Sequence, residues 1–489
     1  MTGEAQPVRV GITAHAGPCP HEVRQPRAVW PRWRLAMLVV ALGALAAAPT
    51  RAFAQAADAE ADRIPGLPEP SIGTSLPRDL ADPRGVRSAF AQRGVIFGVN
   101  YIGEVLGNPT GGYRQGTTYD GRLELAVQAD LETGIGWPGM SFFANGYQIH
   151  GESISAENLG VLMPVSFIEA NPTTRLFEIW LEQKLWDDKV SIRFGQIAAD
   201  SEFLLSKGGE AFLNGTWGWP SITTANMPQN GPAYPLATPG VRVAFAPDDR
   251  LGFLVGVFNG DPAGDCSPEE GPQVCNPYGL LFPIDAPPLL MVEGAYKYNQ
   301  GPGELAGTVK LGGYYNFGEF EHQRVVAGGV RIAFAKARLL GVDGDYGLYG
   351  IIDQMIYRVP GAGDPKGVSL FGRVVGAPEH NPINVYWEAG ITFAGLHAAR
   401  PGDVLGIGFA RTGISPEVSD LEKALGRPIV ANYEAVVEAS YIAEIVPGFI
   451  VQPDFQYFWN PGGHVRDPDD PTKAVPDAAV LGLRTTINY

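Results

Sequence analysis

Catalytic chemistry in this 489-residue chain would have to be assembled from few reactive side chains. Beyond residue 54 the histidines are His150, His322, His380, His397 and His464, scattered without an H-E-x-x-H pair or close metal-binding spacing. No G-x-S-x-G nucleophile elbow occurs. Gly134, Gly136 and Gly139 match G-x-G-x-x-G, but they enclose Trp137-Pro138 in a turn and open no helix, so the match reads as chance. Carboxylates that could pair as in a glycosidase are numerous, yet any charge-lined cavity supplies such pairs. The expectation is no enzyme: no catalytic residue, no metal and no cofactor. Cys266 and Cys275 lie close together in a Pro/Gly/acid stretch, and in an exported chain such a pair is expected to form a disulfide that clips its loop.

Residue types suited to non-covalent recognition are better ordered. Arg122, Glu124 and Gln128 alternate with Leu123, Leu125, Val127, Ala129 and Leu131. Glu178, Trp180, Glu182 and Lys184 alternate with Phe177, Ile179, Leu181 and Leu185, and Arg193 sits between Ile192 and Phe194. Aromatic rings stack on apolar C–H faces, while carboxylates, amides and guanidinium groups bond hydroxyls, so this set suits a polyhydroxylated solute. A second group, Trp217, Trp219 and Tyr234, falls in Ala211–Val241, which carries no charge and five prolines and fits neither helix nor strand.

These side chains need elements that hold them. Gly 63 and Pro 42 disfavour a helical bundle, and 45% hydrophobic residues with 10% aromatics disfavour disorder. A formal charge of −16 argues against a nucleic-acid partner. Arg24, Arg27, Arg32 and Arg34 precede an apolar run from Leu35 to Ala48, and Ala52-Phe53-Ala54 follows, so residues 1–54 read as a cleaved secretory signal. The run is too short to span a membrane as a helix. The signal holds six Arg and two Glu, so its loss takes the charge to −20, which should disfavour anionic solutes. Residues 55–80 read as a flexible periplasmic lead-in, and 81–489 as one domain that opens with a short helix from Asp82 to Arg93.

From Gly94 onward the period is two. About sixteen alternating segments follow, at 95–105, 121–132, 140–149, 176–186, 190–195, 241–246, 251–258, 290–298, 305–317, 346–358, 368–375, 385–393, 404–411, 433–445, 449–459 and 478–489. Charges sit in mid-strand on the polar faces, and no helices are available to cover the apolar faces. An exported all-β chain of this kind predicts a transmembrane outer-membrane barrel of about sixteen antiparallel strands, with lipid on the apolar face and water inside. The stretch 211–241 is then expected to fold inward, narrow the lumen and present Trp217 and Trp219 to a solute. Tyr457, Trp459 and Tyr489 are expected in an interfacial girdle. Ser415–Arg427 reads as a short helix in a loop. The final strand places Leu481, Leu483, Ile487 and Tyr489 on one face. It resembles the last strand of outer-membrane barrels, which ends in Phe or Tyr and is read by the barrel-assembly machinery.

One family resemblance is specific. Glu438, Tyr441, the Pro447-Gly448 turn, Gln452-Pro453-Asp454-Phe455-Gln456-Tyr457, Asn460-Pro461-Gly462 and Leu481-Gly482-Leu483-Arg484 resemble the C-terminal signature of the carbohydrate-selective porin (OprB) family. Gly195, Gln196, Asp200 and Phe203 resemble its turn after paired strands, and the opening helix with GVIFGVNYIGEVLGN also fits. The resemblance runs from about residue 80 to 489. It implies a sixteen-stranded outer-membrane porin for passive diffusion of monosaccharides such as glucose. Three alternatives compete: a general or ion-biased diffusion porin, a secreted sugar-binding β protein, and an outer-membrane hydrolase.

Overall fold

The computed structural model describes residues 75–489, apart from 267–269, 327–329, 332–338 and 362–365. The expected signal, 1–54, and most of the lead-in, 55–80, lie outside the described residues. From residue 95 the chain winds through one antiparallel sheet. Its first half holds β1 (Val95–Thr110), β2 (Gly116–Asp130), β3 (Met140–Gly151), β4 (Thr173–Leu185), β5 (Val190–Ile197), β6 (Thr238–Phe245), β7 (Leu251–Asn259) and β8 (Pro288–Tyr298). Its second half holds β9 (Gly307–Val326), β10 (Val330–Arg331), β11 (Leu339–Arg358), β12 (Gly367–Gly376), β13 (Ile383–Ala394), β14 (Val404–Ile414), β15 (Tyr433–Val446), β16 (Phe449–Trp459) and β17 (Ala478–Asn488). The two-residue β10 only extends the hairpin between β9 and β11, which pair directly, so the wall has sixteen strands. β1 pairs with β17, from Asn100 opposite Asn488 to Thr110 opposite Ala479, and the barrel closes. Closure pairs the first strand with the last, as a sheet in hydrocarbon requires. Among the described residues no helix is long and apolar enough to cross a membrane.

Alternation sets the two faces. On β2, Leu125 is exposed outside, while Arg122, Glu124 and Gln128 are buried inside. Leu311, Leu348, Val374, Leu481 and Leu483 continue the apolar outer face, and Tyr457 and Trp459 pack edge to face on it. Two details differ from the sequence reading. Leu131 leaves the strand: β2 ends at Asp130, whose carboxylate accepts Glu132 N and starts a helical turn, Leu131–Ile135. Phe177 points inward with Glu178, because the β3–β4 register slips between Ala144 and Gly146. One extra residue in a bulge reverses the parity beyond it.

Connections differ at the two ends. One end has short turns, 186–189, 246–250 and 447–448 among them; the other has long loops, 152–172, 198–237, 260–287, 415–432 and 460–477. Short turns mark the periplasmic end of such barrels and long loops the external end. The opening helix is shorter than expected, Val86–Ala91, after a turn at Arg78–Ala81. Asp82 accepts from Arg87 N and Ser88 N at 3.0 Å each. Leu76 N donates to Asn488 O at 2.8 Å, so the chain meets the barrel by residue 76. The helix expected in 415–427 spans Pro416–Ala424.

Candidate functional site

Two long loops turn into the barrel. Residues 198–237 run against the inner faces of β8 to β16, and strand carboxylates hold their backbone. Glu293 accepts Leu204 N at 3.1 Å, Asp353 accepts Gly208 N at 3.0 Å, and Glu438 accepts Leu213 N at 2.6 Å. Arg373 of β12 holds the loop by its carbonyls, donating to Thr216 O and Trp217 O at 2.9 Å each, and pairs with Glu388 of β13 at 2.7 Å. Residues 152–172 are held likewise: Glu434 accepts Leu162 N at 2.9 Å and Met163 N at 2.8 Å. A buried carboxylate that accepts several N–H bonds satisfies itself and the loop together. The inward fold of 211–241 therefore appears in the structure, though the loop begins earlier and Thr238 onward belongs to β6.

Trp217 and Trp219 do not face a solute. Trp217 is 2% exposed and Trp219 9%. Trp217 Nε1 donates to Glu438 at 2.6 Å, its ring stacks on Phe212 at 4.6 Å, and Phe371 meets it edge-on at 5.8 Å. Gly408 on β14 makes room for it, since a Cβ there would come within 2.6 Å of the indole. Trp219 Nε1 donates to Asn230 O at 3.2 Å. The stretch lacks charge because it is packed inside the lumen. Short helices, Gly215–Trp217 and Ser221–Asn226, satisfy part of its backbone, contrary to the expectation of no regular structure.

The other candidate residues lie on the lumen side, six of them in two groups. In the first, the Arg122 guanidinium sits 4.5 Å from the centroid of the Tyr147 ring, 5.4 Å from Tyr234 and 5.6 Å from Phe167, with Glu124 at 3.8 Å. Arg122 thus ties both inward loops to the wall. Gln128 is buried lower on the same strand. In the second, Arg193 contacts Glu182 at 2.7 Å and pairs with Glu202, while Arg242 lies 2.8 Å from Glu202 and 3.6 Å from Glu182. The Trp180 ring lies under Arg193, 3.7 Å from the guanidinium carbon. Gly195, at φ +143° across from Trp180, lets β5 approach β4, where a side chain would strike Ile179 O. Glu178 instead anchors the loop, accepting Ala198 N at 2.9 Å. Lys184 stands apart near the periplasmic turn, 3.5 Å from Asp188.

Sequence reasoning missed Arg242, Glu202, Arg373, Glu388, Glu434 and Glu438 as lumen groups. Arg242 between Val241 and Val243, Arg373 between Gly372 and Val374, and Glu438 between Val437 and Ala439 carry the same alternation signal. Glu202 is in a loop and carries none. Outside the strands, burial raises the Asp200 carboxyl from 3.8 to about 6, although it accepts Tyr234 N at 2.8 Å. Cys266 and Cys275 are joined as a disulfide. With both sulfurs in that bond, the Cys266–Glu270–Cys275 group offers no thiolate to a metal.

Fixed, mutually paired charges and two inward loops thus line the lumen side of the wall. The model of the carbohydrate-selective porin, OprB family matches residues 114–489. Porin B of Pseudomonas aeruginosa is 24% identical over 409 residues, covering 78% of this chain and 87% of that protein. The high-pH structure of Pseudomonas putida OprB superposes with a TM-score of 0.74 at 20% identity, covering 86% of this chain and 99% of that one. The low-pH structure gives 0.52 at 16% identity, with 85% and 100% covered. At such identities the structural likeness speaks for the fold, and the family match goes further: the chain belongs to the carbohydrate-selective porin (OprB) family.

Proposed function

We propose that the barrel lets neutral monosaccharides such as glucose diffuse down their gradient into the periplasm, with no energy source and no covalent step. The observation that carries this reading is the paired quartet Arg193, Glu182, Arg242 and Glu202. Two cations and two anions at contact distance offer donors and acceptors to hydroxyl groups, while their fields largely cancel for an ion. Arg122, Glu124 and Lys184 are further candidates for solute contact; Trp180 acts by supporting Arg193, and Glu178, Trp217 and Trp219 act through the loops they hold. Residues 1–54 serve as the export signal, 55–80 as the lead-in, and the strand ending at Tyr489 as the mark read by the barrel-assembly machinery in outer-membrane lipid.

Liposome swelling tests the reading. Vesicles holding the protein should swell in isosmotic glucose much faster than in gluconate of the same size. Equal rates for both would favour a general diffusion porin, and a slower rate for glucose than for potassium salts without discrimination among sugars would favour an ion-biased one.

A further inference from the structure

The barrel wall is uneven in height. β5 and β6 have 8 residues each and β7 has 9, whereas β9 and β11 have 20. At ~3.3 Å per residue and a tilt of about 40°, eight residues rise roughly 20 Å along the membrane normal. The apolar band of such barrels is about 25 Å tall, so the wall at β5 and β6 ends roughly 5 Å short. The cause is local: β5 hands its chain to the inward loop at residue 198, and β4 pairs with β5 only from Ile179 onward. The edge of β4 before Ile179 has lost its strand neighbour.

The β7–β8 connection, 260–287, covers that edge. Leu176 N donates to Tyr278 O at 3.0 Å and Thr173 Oγ1 to Pro277 O at 2.9 Å. Arg175 Nη2 donates to Asn276 O at 2.8 Å, and Gln196 Nε2 near the end of β5 donates to Gly279 O at 3.1 Å. Gln196 shares the outward parity of Ile192 and Phe194, yet it is buried beneath this cover. Gly279, at φ +66°, lies so flat on β4 that a side chain would collide with Leu176 O. The far end of the segment is fixed at the top of β7, where Gly260 N donates to Pro287 O at 3.1 Å and Ala286 N to Asn259 Oδ1 at 3.0 Å. The segment therefore crosses the upper end of β6 between two clamps.

Its side chains are the wrong kind for water. Tyr278, Leu280, Leu281 and Ile284 are 61%, 59%, 57% and 81% exposed, with Phe282 beside them. An apolar cluster of this kind on a fixed surface marks a contact. Below it, Val241 and Val243 of β6 and Val255 and Val257 of β7 are exposed on the lipid-facing side. Irregular backbone is excluded from the hydrocarbon centre by its free N–H groups, and Pro277, Pro283 and Pro287 have none. The acyl–headgroup boundary tolerates both properties.

We propose that Tyr278–Ile284 completes the low side of the barrel wall by docking into the acyl–headgroup boundary of the outer leaflet, with lipid as its occupant. The test uses the full mature chain in phosphatidylethanolamine–phosphatidylglycerol vesicles. Leu281→Cys and Ile284→Cys are spin-labelled in turn, the native cysteines being oxidised to each other. Leu125→Cys serves as the lipid-facing control and Lys473→Cys, in the 460–477 loop, as the water-facing one. Heat-modifiable migration confirms that each variant is folded. At 281 and 284 the label should relax more with oxygen than with a nickel chelate, as at 125. A stronger response to the nickel chelate, as at 473, would overturn the proposal by placing the segment in water. Weak responses to both, with dipolar broadening that grows with protein density, would overturn it in favour of a second copy of the chain.

Discussion

Replacing Arg373 with Met should loosen the inward loop. Arg373 and Glu388 are fully buried and 2.7 Å apart. The same guanidinium donates to Thr216 O and Trp217 O at 2.9 Å and to Gly218 O at 3.4 Å, and also to Leu204 O. Met keeps most of the side-chain length but none of the donors. Removing one partner of a buried ion pair costs about 3–5 kcal/mol, because the other charge stays buried and unpaired. Among the described residues Glu388 keeps only Tyr386 as partner, and the loop carbonyls lose Arg373. The cost falls on the docked loop alone, because the wall strands β12 and β13 keep their ladder. At 1.4 kcal/mol per decade, the ratio of docked to released loop should fall on the order of 10²–10³-fold. The assay is single-channel conductance in planar bilayers, with vesicle swelling in a trisaccharide. Conductance should rise and the size limit relax, with Arg373→Lys intermediate because it keeps the charge without the fork. A folded Arg373→Met barrel with unchanged conductance and size limit would refute the role of 198–237 as the element that narrows the lumen.

Four further outcomes are expected. Arg193→Leu leaves Glu182 and Glu202 with Arg242 alone, so the reversal potential in a KCl gradient should move toward cation selectivity; an unmoved potential would count against the quartet. Asp200 holds its proton to about pH 6 in the fold but only to about 3.8 unfolded, so ionisation costs stability as pH rises through that window, ~3 kcal/mol once it is passed. Asp200→Asn should therefore raise the temperature of heat modification at pH 7.5 and leave it unchanged near pH 3, and equal shifts at both would contradict this. Replacing Trp217 and Trp219 with Ala should raise sugar flux through a loosened loop; a fall in flux with the barrel intact would instead mark them as solute contacts. Cys266→Ser with Cys275→Ser should speed proteolysis within 260–287 without altering conductance, since that loop is held at the edge of β4 independently of the disulfide; unchanged cleavage would show the clip to be redundant.

Much of the barrel could be read from the sequence because a period of two reports the face of each residue without knowledge of its neighbour. Arg122, Glu124, Trp180, Glu182 and Arg193 took their lumen side from that rule alone. The rule failed where one residue was inserted, at Phe177, since a bulge shifts parity without any local change in composition. The loop anchors left no local signal. Leu213 and Glu438 are 225 positions apart, and nothing near either announces the bond between them. The absence of charge from 211–241 is plain in the sequence, but a segment can lack charge because it meets a solute or because it is packed away. The indole N–H of Trp217 on Glu438 decides for packing. The short β5 and β6 were legible as the six-residue alternations 190–195 and 241–246, whereas the 260–287 segment that covers the gap they leave carried no local signal.

The central claim is that the lumen binds and passes sugar, and titrating a single channel with glucose tests it most directly. With the protein in a planar bilayer in KCl, added glucose should reduce the ionic current in a saturating manner. Glu182→Gln should weaken that block by breaking the quartet. Strong ion selectivity with a current indifferent to glucose would contradict the account.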